Sequence, residues 1–245
     1  MISEAQLERC RLHIRKWFAV HIPRTMRFHD LEHTLGVARM ATALGQAEGL
    51  SAADLALVEV AALFHDTGYA KAYQGHEQES VILARQFLER IGVTPRTVAR
   101  VGSCILATRY GATPRSTLQK VLRDADSAKA GQADFIPKSE LLRKELEVVM
   151  HRRIDATTWR AENLAYLEKH RFHTRAARSR FANQKLQNLR VLRHQSQTSN
   201  SAPAQVVQER FFDRDLSWLS FNDRVLQEAT DSTVKPCNLR NGRKG

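Results

Sequence analysis

The stretch Ala61-Ala62-Leu63-Phe64-His65-Asp66-Thr67-Gly68-Tyr69 sets a histidine and a carboxylate side by side at the end of an almost wholly apolar run. A charged group in such surroundings is costly unless it is paired or bound to a metal. Upstream, from Ala52 to about Asp66, the only polar residues before His65 are Asp54 and Glu59. A helix that is apolar nearly all round belongs at the centre of a bundle. Gly68 stops it, which leaves His65 and Asp66 at its C-terminal end, where co-ligands from other helices would complete a cation site.

Working outward, Leu7, Ile14, Trp17, Phe18 and Val20 recur at helical spacing and predict a first helix from Ser3 to Val20, ended by Pro23. A second follows Phe28-His29-Asp30-Leu31-Glu32-His33 and uses Leu35, Val37, Ala38, Met40, Ala41 and Leu44. His29 and His33 are four apart and share a face if that turn is helical. Ser51-Ala52-Ala53-Asp54 has the form of a capping box for the central helix. After a loop from Ala70 to Gly75 that holds Lys71, His76-Glu77 open a fourth helix, and Thr94-Pro95 open a fifth. The sixth, Ser116 to about Ala130, turns Leu118, Val121, Leu122 and Ala125 inward, with Asp124 and Asp126 on the two flanks of that stripe. Helical patterns over 138–152, 156–170 and on to about His194 follow, with no strand-like alternation before residue 195. The fold class is all-α.

A chain of 245 residues with 42% hydrophobic content supports one sizeable core and an appendage. Its formal charge of +12 is uneven: no Asp or Glu occurs from Arg171 to Gln208, while Arg171, Arg175, Arg178, Arg180, Lys185, Arg190 and Arg193 all fall there. With few aromatics, that third is expected to attract polyanions nonspecifically rather than to read nucleic-acid sequence. Cys10, Cys104 and Cys237 are odd in number and far apart, which indicates neither a disulfide framework nor a cysteine zinc site. The N-terminus carries Glu4 and Glu8 and no apolar run, and no stretch approaches the ~18 apolar residues of a membrane span. A soluble, cytoplasmic protein without membrane contact is the expectation.

Together, Phe28 to Thr34, Ala61 to Tyr69, His76-Glu77-Gln78-Glu79-Ser80 and Asp124-Ala125-Asp126 resemble, in order and spacing, the HD superfamily of metal-dependent phosphohydrolases. Ile105 to Thr108 and Tyr166 to His170 add to the likeness. The resemblance implies an HD-domain helical bundle with metal ligands at His33, His65, Asp66 and one of Asp124 or Asp126. Helical geometry leaves both aspartates open. The family's habit of placing the ligand after an alanine favours Asp126, with Asp124 as a group orienting a ligand or the backbone. Two imidazoles and two carboxylates suit a divalent manganese, iron, cobalt, nickel or zinc ion that activates water against phosphorus, with Asp66 central to catalysis. His29 matches the general acid of related phosphodiesterases. His76 and Glu77 match a block that supplies a second metal or a substrate contact, and Lys71 and Arg109 are candidate phosphate clamps. The pattern departs at Ser127 and Lys129, where related domains usually carry Leu and an uncharged residue.

The implied activity is hydrolysis of a phosphomonoester or phosphodiester of a nucleotide or small phosphorylated metabolite. Two alternatives stand beside it: an HD-type di-iron oxygenase, and a non-catalytic module binding a phosphate ligand or polyphosphate. The expected division is an HD domain over 1–195, a linker over 196–208, a segment over 209–234 and a basic tail over 235–245. The segment, Arg210 to Ala229 above all, resembles the start of the N-terminal helical domain of polyphosphate kinase. The catalytic parts of a kinase would lie far beyond it, so kinase activity is not expected, and a truncated gene fusion is the simplest account. Leu216, Trp218, Leu219, Phe221, Val225 and Leu226 give this short helical appendage an apolar face. That face has to dock on the core, meet another chain, such as a second copy in a homo-oligomer, or stay without fixed structure.

Overall fold

The structure, a computed structural model, describes residues 1–200, with side chains to 197. The appendage and basic tail lie outside the described residues. Residues Met1–Thr198 form one compact unit.

Among the described residues there are helices only: α1 (Glu4–His21), α2 (Leu31–Ala47), α3 (Ala52–Phe64), α4 (His76–Arg90), α5 (Pro95–Leu106), α6 (Thr117–Asp126), α7 (Phe135–Val149), α8 (Ala156–Lys169) and α9 (Arg175–Asn200). Short 3-10 turns, Thr67–Ala70 and Ser127–Gly131, follow α3 and α6. The starts are written into the sequence. Ser3 and Gln6 form a reciprocal box on α1, as do Ser116 and Gln119 on α6, while Asp30, Ser51 and Asp155 cap α2, α3 and α8. At Ser51 the hydroxyl accepts from the amide of Asp54, as the sequence pattern predicts.

The central element is α3. It packs against α1, α2, α4, α5 and α6, and Leu57, Val58, Val60, Ala61, Ala62, Leu63 and Phe64 are all buried. An element covered on every side must be apolar on every side, which is why its sequence lacks a polar stripe. Cys10 and Cys104 are buried free thiols. Burial pushes both up to about 12, so neither offers a thiolate.

Four boundaries differ from the sequence expectation. Helix α3 ends at Phe64, and His65 and Asp66 stand in the turn after it. The sixth helix stops at Asp126 and tightens into the 3-10 turn, instead of running to Ala130. Helix α7 begins at Phe135, because Pro137 falls within its first turn, where a missing N–H costs nothing. Helix α9 reaches Asn200, inside the stretch that composition marks as a linker. No described helix is long and apolar enough to cross a membrane.

Gly68 is fixed by close packing. A Cβ there would lie 1.9 Å from the carbonyl oxygen of His76. In the space glycine leaves, the Ser80 hydroxyl accepts from the Gly68 amide (2.8 Å) and donates to the His65 carbonyl (2.6 Å). That bridge clamps the start of α4 to the end of α3 and so fixes the His65-Asp66 turn.

Candidate metal centre

Three elements deliver four side chains to one point: His33 from the first turn of α2, His65 and Asp66 from the end of α3, and Asp126 from the last residue of α6. His65 Nε2 lies 3.0 Å from Asp66 Oδ2 and 3.5 Å from Asp126 Oδ1. His33 Nε2 lies 3.4 Å and 3.5 Å from the same two oxygens.

The tautomer of His65 follows from its other nitrogen. Nδ1 is 2.7 Å from the Ala62 carbonyl oxygen, an acceptor, so Nδ1 carries the proton and the neutral ring turns an Nε2 lone pair inward. His33 Nε2, His65 Nε2 and Asp66 Oδ2 are all buried and without a hydrogen-bond partner. Lone pairs that converge in the dry interior with no donor between them are destabilising unless a cation sits there. The electrostatics point the same way. Burial pushes the His33 and His65 imidazoles down, but the Asp66 and Asp126 carboxylates outweigh it and hold both above the usual histidine range. Burial pushes Asp66 and Asp126 up, and the two histidines reverse this, holding both well below the usual carboxylate range. The set favours positive charge, and its residues fit a divalent metal ion: His33, His65 and Asp66 form a group with ligand atoms within 4.8 Å of one another.

Beside this cluster stands His29. Its Nδ1 is 2.5 Å from Oε1 of Glu145, a fully buried carboxylate on α7, 116 residues away in sequence. Oε2 of Glu145 accepts from the backbone amides of Phe28 (2.9 Å) and His29 (3.1 Å), and Tyr73 donates its hydroxyl to Oε1 (3.2 Å). Burial pushes the Glu145 carboxyl up, but bonds from His29 and the amides prevail and hold it below the usual range. Glu145 therefore fixes the His29 ring with Nδ1 protonated and Nε2 turned toward the Tyr69 hydroxyl, 3.3 Å away. The His29 and His33 ring centroids are 5.7 Å apart.

Residues 30–131 match the family profile described as the HD domain. Over these residues the chain is similar to the HD domain. Solved structures share its fold. A Lactobacillus plantarum protein aligns with a TM-score of 0.63 at 18% identity, over 82% of this chain and 100% of its own. YpgQ of Bacillus subtilis, solved in complex with ADP, aligns with a TM-score of 0.59 at 22% identity, over 81% and 97%. A predicted HD superfamily hydrolase from an uncultured Thermotogales bacterium gives 0.51 at 22% identity, over 79% and 92%. No curated protein matches the chain. Residues 211–238 match the profile of the polyphosphate kinase N-terminal domain, outside the described residues.

The fold separates residues that the sequence grouped together. Asp124 and Asp126 are two apart, roughly 200° round a helix, and so face opposite ways. Asp126 reaches the cluster. Asp124, fully buried, accepts from the amides of His173 (2.8 Å) and Thr174 (2.7 Å) and from the Thr174 hydroxyl (2.6 Å), pinning the segment that leads into α9. His76 turns Nε2 toward Asp66 Oδ1, 3.6 Å away, and stacks on Tyr69, with ring centroids 3.8 Å apart. Glu77 lies on the other side of that ring, 3.7 Å from Nδ1. Lys71 is exposed and joins none of the contacts around the cluster. Arg109 reaches the Gln78 side chain, 3.3 Å away with that amide turned to satisfy both its ends. Glu145, Tyr73 and Lys129 were not singled out for the site by sequence reasoning. Glu145 carries no local signal, whereas Lys129 stands just after Asp126 as a departure from the pattern.

Proposed function

We propose that the HD domain hydrolyses a phosphate ester, a phosphomonoester or phosphodiester of a nucleotide or small phosphorylated metabolite, with a divalent metal as cofactor. The observation that carries this reading is the convergence of unpartnered His33 Nε2, His65 Nε2 and Asp66 Oδ2 in a buried site. When bound by His33, His65, Asp66 and Asp126, a manganese, iron, cobalt, nickel or zinc ion supplies a Lewis acid for a phosphate oxygen and an activated water. The chain's own residues do the rest. His29, protonated on both nitrogens with Nδ1 held on the Glu145 carboxylate, hands the Nε2 proton to the leaving oxygen, and Glu145 keeps that nitrogen facing the site. Tyr69 keeps its proton, because burial pushes its phenol up, and marks the path from Nε2. A nucleotide substrate is supported by the ADP complex of YpgQ, which shares the fold.

A di-iron oxygenase would need further imidazoles converging on a second ion. Among the described residues, His76 is the one additional histidine with a ring nitrogen turned to Asp66, which favours hydrolysis.

The test is a panel of phosphomonoesters, cyclic nucleotides and nucleotides offered to the purified full chain with each divalent metal. Metal-dependent phosphate release is expected from wild type and not from Asp66→Ala. Equal turnover by the two would overturn the reading. In the proposed division the domain ends near residue 195, so deletion of residues 208–245 leaves turnover intact; its loss would give the C-terminal segment a part in the reaction.

A further inference from the structure

The 3-10 turn after α6 brings a cation to the edge of the centre. On a continuous α-helix Asp126 and Lys129 would stand roughly 60° apart, whereas three residues of 3-10 geometry eclipse them. Lys129 thus leaves the backbone on the side from which Asp126 reaches His33 and His65. Its ammonium nitrogen lies 4.2 Å from the centroid of the Phe28 ring. That ring is 4.8 Å, centroid to centroid, from His29 and 4.8 Å from His33.

This ammonium has three donors, and among the described residues no hydrogen bond or ion pair ends on it. Both nearby carboxylates are engaged. Asp126 faces His33 and His65, and Glu145 accepts from His29, Phe28 and Tyr73. Lys138, by contrast, is paired with Asp134 at 3.0 Å. Burial brings Lys129 down to about 8, against the opposing pull of Asp126 and Glu145. An ammonium is strongly hydrated, and placing one half-buried without an acceptor is costly until an anion arrives.

We propose that Lys129 is the phosphate-binding cation of this site, taking a non-bridging oxygen of the phosphoryl group held beside His33, His65 and Asp66. The proposal rests on the phosphohydrolase reading for the identity of the anion. It assigns the role expected of Lys71 and Arg109 to a residue neither of them contacts.

Binding of inorganic phosphate to the metal-loaded full chain, measured by calorimetry, tests it, with metal content and melting temperature recorded for every variant. Lys129→Met keeps the metal and weakens phosphate binding roughly tenfold or more, the loss of one charge-assisted hydrogen bond. Lys129→Arg restores most of that affinity. In turnover, Lys129→Met raises KM more than it lowers kcat. Wild-type phosphate affinity in a folded, metal-loaded Lys129→Met protein overturns the proposal, as does an absence of phosphate binding by the wild type. If Lys129→Met melts early, Lys129→Gln with unchanged melting serves under the same criteria. Lys129-dependent phosphate binding with no turnover of any ester would remove the hydrolase reading and leave this proposal standing.

Discussion

Replacing Glu145 by Gln changes one atom and exposes how the acid is held. Glu145 Oε2 accepts two backbone amides and Oε1 accepts His29 Nδ1 and the Tyr73 hydroxyl, all in a fully buried position. Gln has one oxygen. With that oxygen kept on the Phe28 and His29 amides, its NH2 group meets Nδ1, and His29 has to move its proton to Nε2. Charge-assisted bonds are worth about 1.5–3 kcal/mol and neutral ones about 0.5–1.5, so the exchange costs roughly 3 kcal/mol in all. For a domain of this size that lowers Tm by about 6–12 °C. General acids contribute on the order of 10²–10⁴-fold, and without the Glu145 carboxylate on Nδ1 to support the doubly protonated ring at least tenfold of that should be lost from kcat. Thermal denaturation followed by circular dichroism reads the first effect, and nitrogen NMR of labelled histidines reads the tautomer directly. An unchanged Tm together with an Nδ1-protonated His29 in Glu145→Gln would refute the reasoning.

The two aspartates of α6 should part company. Asp124→Asn weakens three buried hydrogen bonds to His173 and Thr174 and lowers Tm by several degrees while metal content stays at the wild-type level; Asp126→Asn does the reverse, as elemental analysis and melting of both variants would show. Protons and metal compete for His33 and His65. Both rings lie above their ordinary range in the folded protein, so in the metal-free chain their contribution is complete below about pH 6.5, the unfolded value, and is lost as pH rises through the folded values. Metal takes the neutral rings, so the gain in Tm on adding metal should grow from pH 6 to pH 8; a constant or shrinking gain in calorimetric scans would contradict this.

Much of this was legible in the sequence because the decisive residues advertise themselves locally. The all-round apolar run of α3 predicts its central place, and His65 and Asp66 end it as polar types that a buried position does not tolerate without a partner, whereas His33 and Asp126 come from the family resemblance, helical geometry leaving Asp124 and Asp126 both open. What stayed hidden depends on tertiary geometry. Glu145 is one of several charged residues on α7, and nothing nearby distinguishes it from the half-buried Glu140; only packing against Phe28 and His29 turns it inward. The facing of Lys129 depends on a change from α to 3-10 geometry at Ser127, which periodicity extrapolates straight through. Glu77 follows His76 as a plausible co-ligand, yet consecutive residues on a helix diverge by roughly 100°, and the structure places it beyond the ring.

The most direct test of the central claim is elemental analysis of the full chain and its Asp66→Ala variant after exposure to manganese, iron, cobalt, nickel or zinc and exhaustive dialysis. The account predicts that wild type retains a divalent ion and that Asp66→Ala, folded by circular dichroism, does not. Equal metal content in the two proteins would contradict it.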